Sequence, residues 1–520
     1  VAARLLRQLR RDRPRGSPIP PLLPAVALAL VVALGTRRCP LARATDAKVS
    51  IDQGSIAHGG READLRSGLA RRKTVMSLTL SLFDRRFVVG SSLLGSLGLM
   101  MPAMAHGAPS GGGAPDVRAP ASAQAARPPA SAEIRQFRYH APEEALSDLR
   151  RRVAATRWPS RELVPDDTQG VRLETMQRLA DHWAHDYDWR RAEANLNQYP
   201  QFTTTIDGVD IHFIHVKSKH PGALPVIITH GWPGSVIEQL KMIKPLTDPT
   251  AYGGTAADAF DVVIPSLPGY GFSGKPTELG WDPQRVARAW ATLMERLGYD
   301  RYVAQGGDWG DAVNEQMALQ KPRGLLAIHT NMPGTLPDAI SAALAGGPAP
   351  TGLSADEQYA WEQLDFFYKH RVGYASEMGA RPQTLYGLDD SPIALAAWMI
   401  DHDPQSQKLI NRVFSGAKEG LTRDDILDNV TLYWLTGTGL SSGRLFWESK
   451  LAFFAPKGVT IPVAVSAFPD EIYTAPESWT RQAFPQLVFY KRHDKGGHFA
   501  AWEQPQLLTE DLREAFRSFR

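Results

Sequence analysis

Gln305-Gly306-Gly307-Asp308-Trp309-Gly310 is the stretch on which the reading of this chain turns. It follows a short apolar run, Tyr302-Val303-Ala304, and precedes a helical stretch from Asp311 to about Gln320. Glycines two positions either side of Asp308 permit a sharp turn between strand and helix that lifts the central side chain clear of the backbone. The helix amino terminus below it favours negative charge at that point. Taken alone, the turn also suits an aspartate that only closes a tight bend. Its surroundings have to decide.

Outward from this turn, short apolar runs alternate with helical stretches. Residues 225–229, 261–264, 302–304, 325–329, 463–465 and 487–490 read as buried strands separated by helices, which predicts parallel strands with crossovers and an α/β fold. Upstream, Pro142 is expected at a first helical position with Glu143 and Glu144 in the first turn, and Leu146, Leu149 and Val153 follow at helical spacing. A second helix is expected through Leu173, Met176, Leu179, Trp183 and Tyr187. Asp207-Gly208 between two β-like runs, 202–206 and 209–216, predicts a hairpin. From about 333 to 457 the rhythm breaks into helical, Trp- and Tyr-rich sequence, expected to form a lid over the carboxyl ends of the strands. The expected organisation is a helical domain with the hairpin (133–222), a core in two parts (223–335 and 458–520) and the lid (336–457).

The remaining motifs occur in the order of an α/β-hydrolase fold with Asp at the nucleophile elbow. His230-Gly-Trp-Pro-Gly-Ser235 follows a strand and would supply one oxyanion-hole N–H from Trp232, the other coming from Trp309 after the elbow. Ala467-Phe-Pro-Asp-Glu471 places a carboxylate just after a strand, and Gly496-Gly497-His498-Phe499 places a histidine on a loop after the last one. Nucleophile, acid and base are thus Asp308, Glu471 and His498. Asp470 competes with Glu471 as the acid. His493 competes with His498, but it lies within Lys491-Arg-His-Asp-Lys495, which reads as solvated surface. Ser235 and Ser273 read as turn residues.

From about Ile134 to Arg520 the chain resembles an epoxide hydrolase of the microsomal and juvenile hormone type. His230–Ser235, Gly306–Gly310, Ser466-Ala-Phe-Pro469, Gly496-Gly-His-Phe-Ala-Ala501 and Arg157-Trp158-Pro159 carry the resemblance. It implies an N-terminal helical domain on an α/β-hydrolase core with a lid, and two lid tyrosines that hold the epoxide oxygen. The matching positions are Tyr374, in Val372-Gly-Tyr-Ala375, and Tyr433, in Thr431-Leu-Tyr-Trp434; Tyr386 is the substitute. It implies an apolar epoxide and water as reactants, and no metal, nucleotide or flavin. It also selects Glu471 over Asp470.

The chemistry points the same way. A carboxylate displaces a leaving group at saturated carbon and leaves an alkyl ester, which water then hydrolyses with a histidine base. A haloalkane or haloacid dehalogenase uses the same logic, with Trp309 able to hold halide; a halide needs no proton, so the phenols favour an epoxide. A catalytically silent binding protein of this fold would be expected to lack a triad member.

Composition sets the outer bounds. Of 520 residues 43% are apolar, enough for more than one sizeable core. One cysteine, Cys39, excludes a disulfide framework and a cysteine zinc cage. The net charge of +3 is split: residues 1–105 carry 17 Lys and Arg against 6 Asp and Glu, the rest 41 against 49. An acidic body argues against nucleic acid. Residues 1–75 read as a leader that does not fold, with synthesis expected to start at Met76. Arg85-Arg86, the weakly apolar run 87–101 and Ala103-Met-Ala105 resemble a bacterial Tat export signal over 76–105, so a periplasmic or secreted protein is expected. Residues 106–132 read as a flexible tether, and no stable membrane span is expected in the mature chain.

Overall fold

The computed structural model describes residues 132–520. The expected leader, export signal and tether (as far as residue 131) lie outside the described residues. Nine strands form one sheet in the order β1-β2-β3-β5-β4-β6-β7-β8-β9. They are β1 (Arg135–Phe137), β2 (Gln201–Ile206), β3 (Val209–Val216), β4 (Leu224–Thr229), β5 (Phe260–Pro265), β6 (Tyr302–Gly306), β7 (Leu325–Thr330), β8 (Val463–Ala467) and β9 (Leu487–Arg492). The first three pair antiparallel and β3 pairs antiparallel with β5; from β5 through β9 every pair is parallel.

Six expected runs therefore lie in the six parallel strands. The reason is burial on both faces: Val226, Ile227, Ile228, Val262, Val263, Ile264, Val303, Ala304, Ile328 and Val463 are completely enclosed. The Asp207-Gly208 hairpin forms, with Asp207 at φ 48° and Gly208 at φ 80°. It joins the same sheet, and the three-residue β1 beside it comes before the first helix.

That helix, Glu143–Ala154, begins one residue later than its proline suggests. Pro142 is the residue before it, with ψ at 142°, and Glu143 and Glu144 occupy the first turn. The helices Leu173–His185 and Trp189–Asn197 follow. The first of these ends at His185, so Tyr187, expected in the helix, lies in the link after it. Polar side chains here brace the lid: Trp183 Nε1 donates to Thr431 Oγ1 (3.0 Å), Tyr187 Oη to Asp428 Oδ1 (2.8 Å), and Thr175 Oγ1 to Asn411 Oδ1 (2.8 Å). The lid is helical from Asp338–Leu344 through Gly439–Glu448, and Thr431 and Asp428 belong to its helix Arg423–Thr436. Among the described residues no helix is long and apolar enough to cross a membrane.

The strand order positions the site. β4 has β5 on one side and β6 on the other, so the crossovers reverse direction there and leave a crevice at the carboxyl ends. His230–Ser235 leaves β4 at that edge, Asp308 leaves β6, Glu471 follows β8, and His498 follows β9.

Candidate active site

The turn after β6 is as sharp as its glycines permit. Asp308 sits at φ 52° and ψ −126°, a conformation rare for any residue with a side chain, and begins the helix Trp309–Gln320. A Cβ at Gly306 would lie 2.4 Å from the Gly310 carbonyl carbon, and one at Gly310 would lie 2.1 Å from the Thr229 oxygen. Gly231 serves the same purpose opposite, where a Cβ would stand 2.3 Å from Asp308 Oδ1. Strand, helix and loop thus close on the carboxylate with no side chain between them. The Trp232 N–H donates to Asp308 Oδ1 at 2.7 Å. Trp309, first residue of the helix, presents its N–H at the helix amino terminus.

His498 Nδ1 lies 2.7 Å from Glu471 Oε1, and both side chains are buried. The Glu471 carboxylate accepts from the Ile472 N–H (2.8 Å) and from Asn331 Nδ2 (3.5 Å), which fixes its orientation. Burial would push the imidazole down, but the charges of Glu471, Asp308 and Asp403 carry it up to about 10. Asp470 takes a different place: its side chain is exposed, and its backbone N–H donates to the Gly496 oxygen at 3.0 Å. It ties the acid's loop to the histidine's. His493 corrects the expectation of a solvated surface residue. It is buried, stacked on Phe468 at 4.7 Å, and its Nε2 lies 2.6 Å from Asp511 Oδ2. Ser235 caps the helix Val236–Thr247 and Ser273 Oγ donates to the Ser266 oxygen, so both are turn residues.

Asp308 forms part of the wall of a cavity of about 160 Å³ that is otherwise mostly apolar, with Trp309, Tyr374, Phe446, Phe453 and Ile472 among its lining. Tyr374 is stacked on the Trp232 ring, centroids 5.0 Å apart, and burial and then the Asp308 charge push its phenol well above the usual value. It stays protonated at any working pH. Tyr433 is fully buried, but its hydroxyl donates to the Gly234 oxygen at 2.6 Å and is not part of the cavity lining. Tyr386 is 67% exposed and away from the site. Of the two lid tyrosines, the structure brings only Tyr374 to the cavity beside Asp308.

Two side chains the sequence did not single out also reach this centre. His402 is buried with its ring 4.3 Å from that of His498 and 5.0 Å from that of Tyr374; Nδ1 meets Asp403 Oδ2 at 3.0 Å and Nε2 has no partner. Among the described residues, Asp308, His402 and His498 bring one ligand atom each within 4.8 Å of one another, a donor set of the kind that holds a transition metal. A metal there would take both the elbow carboxylate and the histidine out of use. Glu238, on the helix after the Trp232 loop, is the other. Neither stands in a recognisable motif, and the rings of His498 and Tyr374 that His402 meets are distant in sequence.

A mixed sheet with six parallel strands and a strained elbow at its switch point, a backbone donor on the elbow side chain and a His–Glu pair beyond it define an α/β-hydrolase with a carboxylate in the nucleophile position. Residues 134–239 match the epoxide hydrolase N terminus and residues 225–368 the alpha/beta hydrolase fold. A protein of Stigmatella aurantiaca (strain DW4/3-1) named as an epoxide hydrolase is 48% identical over 397 residues, covering 74% of this chain and 86% of that one. Epoxide hydrolase 1 of Oryctolagus cuniculus is 35% identical over 402 residues, 73% and 88% of the two chains. The crystal structure of juvenile hormone epoxide hydrolase from the silkworm Bombyx mori superposes with a TM-score of 0.66 at 29% identity, covering 75% of this chain and 96% of that one. The chain belongs to the epoxide hydrolase family.

Proposed function

We propose that the protein converts an apolar epoxide and water into a vicinal diol through an alkyl ester on Asp308. One observation carries this reading: the Asp308 carboxylate stands at a mostly apolar cavity with one oxygen, Oδ1, on the Trp232 N–H at 2.7 Å. Oδ2 is then the attacking atom. It forms a bond to a ring carbon, the ring C–O bond breaks, and the alkoxide takes a proton from the Tyr374 hydroxyl. Tyr433 would need to exchange its bond to the Gly234 oxygen for the alkoxide before it could share that task.

Water next attacks the Asp308 carbonyl carbon and passes a proton to His498, held by Glu471. Oδ1 becomes the oxyanion, stabilised by the N–H groups of Trp232 and Trp309. Collapse breaks the bond from that carbon to Oδ2, which leaves with the product, and His498 returns its proton to that oxygen; the proton left on the new Asp308 carboxyl goes back to the Tyr374 phenolate. Esterification also prepares the base. It removes the Asp308 charge, one of the charges holding the imidazole at about 10, so the imidazole pKa falls when a base is needed.

Diol formation from styrene-type, terpene-type and aliphatic epoxides, run beside halide release from haloalkanes, tests the reading. The expected result is diol without halide release. Tyr374→Phe is expected to slow the epoxide reaction by about 10²–10³, as for loss of one oxyanion donor. Halide release that Tyr374→Phe leaves untouched would identify a dehalogenase instead.

A further inference from the structure

Asp308 also lines a second and smaller space of about 20 Å³. That is room for a single water molecule and too little for a substrate. Its walls include Asp308, His498, Glu238, Gln239, Gln305 and Asn331. Among the described residues Asp308 is the one that lines both spaces. Tyr374 faces only the larger and His498 only the smaller.

The smaller compartment has the lining a bound water needs. The side-chain oxygens of Gln239 and Gln305 are buried without a partner. Gln305 Nε2 donates to Asn331 Oδ1 (3.3 Å), and Asn331 Nδ2 to Glu471 Oε2 (3.5 Å), so one wall connects directly to the acid that holds His498. Glu238 is brought in by the Trp232 loop: a Cβ at Gly234 would fall 1.8 Å from Glu238 Oε2, so the glycine leaves room for the carboxyl. Its other oxygen accepts from Gln239 Nε2 at 2.7 Å.

We propose that this chamber holds the water that hydrolyses the Asp308 ester, and that Glu238 is a positioning residue that orients it. The proposal rests on the ester route above. One water hydrogen goes to His498 Nε2, the other is accepted by a chamber oxygen, and the water oxygen bonds to the Asp308 carbonyl carbon. Burial, with the Asp308 charge adding to it and His498 opposing, pushes the Glu238 carboxyl up to about 8. Near neutrality it is therefore uncharged and leaves Glu471 as the carboxylate that governs His498.

The test separates formation of the ester from its breakdown. Glu238→Ala and the wild-type protein are mixed rapidly with styrene oxide, quenched, and the intact mass is followed in time. Ester formation is expected within about threefold of wild type, and breakdown slower by about 10², the cost of misplacing a reactant by about 1 Å. kcat and KM then fall together. Glu238→Gln, which keeps an accepting oxygen, is expected to restore breakdown to within about tenfold of wild type. Breakdown in Glu238→Ala at the wild-type rate, or in Glu238→Gln as slow as in Glu238→Ala, would overturn the role. If Glu238→Ala gives no folded protein by circular dichroism, Gln305→Leu carries the same comparison with the same expected and contrary results. Absence of any ester, in these variants and in His498→Ala alike, would instead overturn the ester route itself.

Discussion

His498→Ala is expected to turn the protein into a stoichiometric trap. Mixed with an epoxide, His498→Ala gains the mass of the whole substrate on the peptide containing Asp308, and steady-state diol formation falls by about 10⁴ or more. The asymmetry follows from the proposed route, in which the two steps use different groups. On that route ring opening would use Asp308 and the cavity phenol, and the Trp232 N–H that Asp308 accepts from does not depend on the imidazole. Ester hydrolysis would use the imidazole, whose ring is fixed by the 2.7 Å contact to Glu471. Removing it leaves water in the chamber with no base. An adduct formed from a haloalkane would lack the halogen, so its mass also reads the leaving group. Full turnover by the variant would remove His498 from the reaction.

Asp308→Ala is expected to lose diol formation by at least about 10⁴ and to give no adduct with any epoxide. It carries a second, independent signature. Asp308 is one of the negative neighbours that raise the His498 imidazole to about 10. Removing a negative charge disfavours the charged imidazolium, so the His498 pKa falls, and the imidazole is neutral over a wider pH range than in the native protein. An NMR titration of the ring reads that shift directly. Loss of activity without the shift would mean that the carboxylate and the imidazole do not face each other.

The parallel strands and the elbow were legible because each depends on local pattern. Runs such as Val226–Ile228 and Val262–Ile264 are apolar without alternation because both faces are covered, and the Gly–x–Asp–x–Gly spacing is set by contacts within five residues and one neighbouring strand. Features that depend on distant partners were not. The run Lys491–Lys495 looks solvated until the last helix brings Asp511 back beneath His493. Asp470 and Glu471 are adjacent and chemically alike, and only the turn after β8 sends one to the histidine and the other outward. Tyr433 matches its position in a motif, yet the Gly234 oxygen holds its hydroxyl, a contact spanning almost two hundred residues. His402 lies in the short link Asp401-His402-Asp403 between two lid helices and Glu238 stands beside Gln239 in a helix, and nothing in those neighbours signals that the fold carries them to the centre. β1, at three residues, is too short to show a period.

Oxygen-18 water settles the route in a single turnover of the native protein, with enzyme in excess over epoxide. Covalent attack by Asp308 predicts a diol without label and one heavy oxygen in the Asp308 carboxyl, located by mass spectrometry of its peptide. A labelled diol beside an unlabelled carboxyl would mean that water opens the ring directly, and Asp308 would then be no nucleophile.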